Sequence, residues 1–329
     1  MEEDISNKEL VAKHVFFFEQ IEKRVLPLNT FLFEADGFKV FLKKGEVFTK
    51  ETEEDLLNKG QKYLFILKNE LRDYNLGVEK KLTKTLSNDK IPVEERTEIL
   101  RNASISMVEE LFDSMDILKD KERINNLTEN MVDFLTTNNG VLFNLLSLSS
   151  HDFYTYRHSV DVSIYNVMFA RFIGITSKKQ LNIYAQAGLF HDLGKSRVSD
   201  KIINKKGPLN DEEWKIMKAH PKYSADILKE IYGLHQNIID AALYHHEKID
   251  GTGYPFGLSG DKIPFIGKLT AISDIFSALT THRSYSKARS IYEALNFMTE
   301  NLKGKVDKHL LKKFIQMFQD ENQKVKKSE

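Results

Sequence analysis

Five of the ten histidines in this chain fall in one ordered series with two aspartates, and that series has the makings of a metal centre. His158 comes first. His191-Asp192 follows, inside His191-Asp192-Leu193-Gly194-Lys195, and then come His220, His245-His246 and Asp274. Imidazole nitrogen and carboxylate oxygen suit iron, manganese and zinc alike. The chain has no cysteine, so a disulfide frame and a thiolate metal site are both excluded.

Taken singly, each residue has an ordinary reading. A histidine at the start of an apolar helix, as His158 is, is more often a satisfied core group. His191-Asp192 alone reads as a hydrogen-bonded helix end, with Gly194 at a helix-breaking position. His220 precedes Pro221 and reads as closing the helix begun at Asn210-Asp211, where it would meet the helix dipole. Asp274 lies in the apolar helix Ala271-Ile272-Ser273-Asp274-Ile275-Phe276, and a charge buried there needs a basic partner. Neighbouring His245 and His246 would point about 100° apart on a helix, so both serve one site only if it lies between them or spans two ions. Gly251-Thr252-Gly253-Tyr254-Pro255-Phe256-Gly257 is a rigid turn with closely spaced glycines.

These residues must be positioned by a mainly α protein. Residues 30–68 mix short β runs with turn signals. Phe31-Leu32-Phe33, Asp36-Gly37 and Phe38-Lys39-Val40-Phe41-Leu42 read as a hairpin, because Asp-Gly favours a tight primed turn. Thr52 is the expected cap of a helix starting at Glu53, and Tyr63-Leu64-Phe65-Ile66 is a candidate third strand. From about 70 onward the apolar spacing is helical. The expected division is an α+β regulatory or interaction domain with connecting helices over 1–140, and an all-helical bundle over 141–329. Asn138-Asn139-Gly140 marks the break, and loops are expected at 198–210 and 248–266.

Composition limits partners. Lysine plus arginine and aspartate plus glutamate number 48 each, so no global field points to nucleic acid or to an anionic membrane. The acidic Met1-Glu2-Glu3-Asp4 reads against a secretory signal. No apolar run approaches the roughly 18–20 residues of a membrane span, so the expectation is a cytoplasmic protein without membrane insertion.

Read as a series, residues 150–315 resemble the HD-GYP domain, a branch of the HD phosphohydrolase superfamily. The resemblance rests on His158-Ser159 after Tyr154-Thr155, on His191-Asp192-Leu193-Gly194-Lys195, and on Lys206-Gly207-Pro208-Leu209 with Glu212-Glu213. It continues through His220-Pro221, His245-His246-Glu247, Asp250-Gly251-Thr252-Gly253-Tyr254-Pro255, Gly257-Leu258, Ile263-Pro264, Asp274, Ala278-Leu279-Thr280 and Arg283-Ser284-Tyr285.

The resemblance implies an HD-type bundle holding two divalent metals on His158, His191, Asp192, His220, His245, His246 and Asp274. It favours iron, with manganese as the alternative, and implies that Asp192 and a hydroxide bridge the ions. The implied reaction is hydrolysis of cyclic di-GMP to pGpG and, in some members, GMP, with Lys195 supplying charge to the phosphate. Gly253, Tyr254 and Pro255 would flank the substrate, Arg283 would contact the dinucleotide, and Tyr285 would stack on a base or simply pack. Diguanylate cyclase domains are implied partners through the Gly-Tyr-Pro region.

The chain departs from the family pattern in three places. Tyr154 stands where some members carry a glutamate for a third metal, which implies two metals here. Ser277 stands where an aspartate is usual, and Ser286 where a basic residue is common. The last two leave open a second reading, a metal-bearing module that binds a cyclic dinucleotide or a protein with little turnover. A phosphodiesterase for another cyclic nucleotide is a third.

Overall fold

The alternation at 30–42 folds as the expected hairpin. In the computed structural model, β2 (Thr30–Glu34) and β3 (Gly37–Leu42) run antiparallel, with Phe33 opposite Phe38. The structure describes residues 10–15, 18, 24–34, 37–114, 117–138, 140–147, 155–205, 207–231, 233–281 and 288–328. Asp36, the first residue of the expected turn pair, lies outside them.

The candidate strand at Tyr63 forms as β4 (Tyr63–Leu67), which pairs with β2 and with an unforeseen strand, β1 (Leu10–His14). The sheet order is β1-β4-β2-β3. Within β1 the short apolar run is interrupted by Lys13, so it carries no alternation to read. Lys13 is nevertheless buried, and its ammonium donates to Ser106 Oγ at 2.8 Å and to Glu109 at 3.1 Å. Burial lowers its pKa against the pull of Glu109.

The first helix, α1 (Lys50–Asn58), starts earlier than expected. Thr49, not Thr52, is the cap: its hydroxyl accepts the Thr52 amide at 3.0 Å. Fully buried Phe48 pins the chain just ahead of it, and the Thr52 hydroxyl is itself paired with that of Thr49. Long helices follow as α2 (Leu71–Leu86), α3 (Val93–Ser114) and α4 (Ile117–Thr137).

Cα packing divides the chain into Met1–Glu110 and Leu111–Glu329. The turn at Asn138 and Gly140 leads into α5 (Val141–Ser147). The larger unit then runs through α6 (Thr155–Phe172), α7 (Lys178–Phe190), α8 (Asp211–Met217), α9 (His220–Lys229), α10 (Gln236–Tyr244), α11 (Phe265–Thr280), α12 (Ile291–Asn301) and α13 (Lys308–Ser328). The expected loop at 198–210 includes one helical turn, Asp200–Ile203. Among the described residues no helix is long and apolar enough to cross a membrane.

Two packing devices set the frame of the site. Gly188 of α7 lies so close to the Ser163 backbone of α6 that a Cβ would clash, and the Ser163 hydroxyl donates to the Ala185 carbonyl at 2.7 Å. One turn further along α6, Asn166 donates to Thr270 Oγ1 of α11 at 3.1 Å. Beneath them Tyr165, Phe169, Phe276, Phe314 and Phe318 pack ring against ring. These contacts bring the start of α6, the end of α7 and the C-terminal half of α11 together.

Candidate metal centre

Asp192 sits just past the end of α7, 2% exposed, and its two oxygens face different histidines. Oδ1 lies 3.2 Å from Nε2 of His220 and 3.8 Å from Nε2 of His245. Oδ2 lies 3.3 Å from Nε2 of His191 and 3.8 Å from Nε2 of His158. Two groups among the described residues could therefore hold a cation, Asp192 with His220, His245 and His246, and Asp192 with His158 and His191. Asp192 belongs to both.

Local structure explains how each ring is aimed. His191 Nδ1 lies 2.7 Å from the Gly188 carbonyl, His220 Nδ1 2.7 Å from the Met217 carbonyl, and His245 Nδ1 2.9 Å from the Ala242 carbonyl. A carbonyl only accepts, so each Nδ1 is the protonated nitrogen and each Nε2 keeps a lone pair turned inward. Nε2 of His220 and of His245 are 3.5 Å apart. With both lone pairs facing, that approach suits a cation between them.

The same demand shows in two orphaned atoms: His191 Nε2 and Asp192 Oδ1 are buried and have no hydrogen-bond partner. Buried polar atoms rarely stay unpaired. The donor set therefore fits divalent metal ions, with nitrogen and oxygen ligands only.

Asp274 is the second buried carboxylate. Its Oδ1 is 2.9 Å from His158 Nε2 and its Oδ2 is 4.0 Å from His246 Nδ1. The basic partner it requires is thus histidine. His158 is held from behind by the Ser277 hydroxyl, 2.9 Å from Nδ1. Ser277 is neutral, yet it does make a hydrogen bond to the site.

The electrostatics point the same way. Burial would raise Asp192, but His191 and Lys195 overcome it and hold the carboxyl well below the usual range. Burial opposes ionisation of Asp274 too, and His158 overcomes that. Burial pushes His245 down to about 3, and also lowers His158 and His246. His191 goes the other way: burial opposes its charge, but Asp192 and Asp274 raise it. Its elevated proton affinity expresses the site's need for positive charge.

Several expectations change in detail. His220 does not close the helix from Asn210. That helix, α8, ends at Met217, and His220 opens α9 while its ring bonds back to the Met217 carbonyl. His245 caps α10 and His246 follows it, and their ring centroids are 4.0 Å apart, so both rings reach one site. Lys195 lies in a tight 3-10 segment, Leu193–Arg197, and its ammonium donates to Asp192 Oδ2 at 2.5 Å. Gly194 serves close approach: a Cβ there would strike the His220 carbonyl and the Ser224 amide.

Ser224 had no sequence signal. Its hydroxyl accepts the Gly194 amide at 2.7 Å and donates to the His191 carbonyl at 3.0 Å, tying the His191-Asp192 turn to α9. Glu247 is buried and accepts the amides of Phe256 at 2.7 Å and Leu258 at 2.9 Å. It anchors the Gly-Tyr-Pro loop beside the histidine pair, so that the Tyr254 ring rests 4.7 Å from that of His246. Gly253 packs where a Cβ would hit the Lys248 amide, and Pro255 follows a cis peptide bond. Tyr154, Arg283, Tyr285, Ser286 and Lys206 lie outside the described residues.

A helical bundle that gathers five histidines and a second aspartate around the shared carboxylate of Asp192 has the architecture of an HD-type domain. The HD domain family matches residues 140–310, and the chain belongs to it. Among characterised relatives, the cyclic di-GMP phosphodiesterase PA4108 of Pseudomonas aeruginosa is 36% identical over 53% of this chain and 42% of its own length. The 3'3'-cGAMP-specific phosphodiesterase 3 of Vibrio cholerae is 37% identical over 51% of this chain and 37% of its own. The cyclic di-GMP phosphodiesterase of Thermotoga maritima is 32% identical over 56% and 52%. The chain thus spans about half or less of the length of these relatives. In fold, it is similar to Bd1817, a HDG"Y"P protein from Bdellovibrio bacteriovorus, with a TM-score of 0.71 at 20% identity, covering 94% of this chain and all of that one.

Proposed function

We propose that this chain hydrolyses cyclic di-GMP to linear pGpG, and on further cleavage to GMP, at a binuclear His/Asp site. The observation that carries the reading is the division of Asp192: Oδ1 faces His220 and Oδ2 faces His191. One carboxylate so divided suits two ions held side by side. The names of the relatives support a cyclic dinucleotide as substrate.

His158, His191, Asp192 and Asp274 would hold one ion, and His220, His245 and His246 with Asp192 the other; iron is the first choice and manganese the second. When bound, such ions lower the pKa of a shared water, supply hydroxide at neutral pH and neutralise charge on the phosphate. In the reaction water adds to phosphorus and the P–O3' bond breaks, leaving a 5'-phosphate and a 3'-hydroxyl.

Lys195, whose ammonium donates to Asp192 Oδ2 at the edge of the site, would supply further positive charge to the phosphate. Gly253, Tyr254 and Pro255 flank the cleft, and Arg283 and Tyr285 complete the substrate contacts. The N-terminal part is regulatory or mediates interactions, and a diguanylate cyclase domain is a partner through the Gly-Tyr-Pro loop.

The test is chromatography of cyclic di-GMP and 3'3'-cGAMP incubated with anaerobically purified protein. Formation of pGpG supports the reading. Hydrolysis of 3'3'-cGAMP alone would move the substrate to the mixed dinucleotide. Metal-loaded protein that makes no product in hours would leave a binding module.

A further inference from the structure

Tryptophan 214 is the sole tryptophan of the chain. Its side chain is 45% exposed, so that much of the indole is open to solvent. It is nonetheless firmly mounted. Helix α8 begins with a capping box between Asn210 and Glu213, and Lys205 donates to the Glu213 carboxylate at 2.5 Å. One turn further on, the Lys218 ammonium lies 5.9 Å from the centroid of the Trp214 ring and 5.9 Å from that of Tyr254. Tyr254 stands in turn 4.7 Å from His246 and 6.5 Å from His220, ring centroid to ring centroid.

An unbroken line of groups therefore runs from the candidate metal centre through Tyr254 and Lys218 to an exposed indole. A cyclic dinucleotide held by one phosphate at the metals must place its second phosphate and a purine outside them. An ammonium suits the phosphate. An indole face suits a purine, because base–aromatic stacking is worth about tenfold or more in affinity.

We propose that Trp214 and Lys218 form a subsite for the half of the dinucleotide that is not being cut, the indole stacking on its base and the ammonium meeting its phosphate. This rests on the cyclic-dinucleotide reading of the metal centre and specifies where that substrate extends.

Because Trp214 is the only tryptophan, its emission reports on the subsite directly. The full-length, metal-loaded protein is titrated with cyclic di-GMP while tryptophan fluorescence and hydrolysis are followed. Saturable quenching, together with a roughly tenfold rise in KM at near-constant kcat in Trp214→Ala and recovery in Trp214→Phe, is the expected result. Hydrolysis with unchanged emission and an unchanged KM in Trp214→Ala would overturn the subsite and leave the enzymatic reading standing. Quenching without product would support the subsite and overturn turnover. Neither quenching nor product would overturn both.

Discussion

Nδ1 of His158 lies 2.9 Å from the hydroxyl of Ser277, whereas Nδ1 of His191 lies 2.7 Å from the carbonyl of Gly188. The difference matters because a carbonyl only accepts and a hydroxyl can do either. His191 is locked with its lone pair on Nε2. His158 can carry its proton on Nε2, where Asp274 receives it at 2.9 Å, or on Nδ1, where Ser277 receives it.

Metal binding requires the second form, and Ser277 supports it. Ser277→Ala removes that acceptor and is predicted to weaken metal affinity by about tenfold, in the range typical of groups behind a ligating histidine. Competition with a chromophoric chelator measures this. An unchanged affinity would show that Ser277 does not act on His158.

The anchor of the Gly-Tyr-Pro loop gives a stability prediction. Glu247 accepts the amides of both Phe256 and Leu258. Glu247→Ala leaves both without their partner and is predicted to destabilise the protein by about 2 kcal/mol. Glu247→Gln, which keeps one accepting oxygen, should cost less. Thermal unfolding reads the cost, and limited proteolysis should cut within 250–260 sooner in the Ala variant. Equal unfolding temperatures in all three proteins would contradict the assignment.

Acid should destabilise the chelator-treated protein. Burial pushes His245 down to about 3 and also lowers His158 and His246. In the unfolded chain each titrates near 6.5, so below about that pH the unfolded chain takes up protons that the fold refuses. Stability then falls as pH falls. His191 has the opposite sign: its raised pKa adds stability present below about 6.5 and lost as pH rises through the folded value. Asp192 and Asp274, both held low, add stability that is lost only below about pH 4. Three histidines against one leave a net loss, with His245 alone contributing on the order of 2 kcal/mol between about pH 7.5 and about pH 5. Urea unfolding at those two pH values should show the lower midpoint in acid; an equal or higher one would contradict the prediction.

What was legible in the sequence follows from periodicity and residue chemistry. The hairpin at Phe31 and Phe38 alternates, the helices repeat their apolar face, and the liganding residue types keep their order, so each could be read. Strand β1 could not, because buried Lys13 breaks its pattern and its partner Glu109 is remote in sequence. The role of Ser224 was hidden for a similar reason: it acts only through contacts with His191 and Gly194 that the fold creates. At the first helix, Thr49 and Thr52 could each cap, and buried Phe48 fixes Thr49; at His220 the ring's bond back to the Met217 carbonyl is created by the fold.

The shared position of Asp192 is tested most directly by metal content. Protein purified without oxygen should carry two metal ions per chain, and Asp192→Ala should lose both together with cyclic di-GMP hydrolysis. Two ions retained in Asp192→Ala, or no metal in the unaltered protein, would contradict a carboxylate shared between two sites.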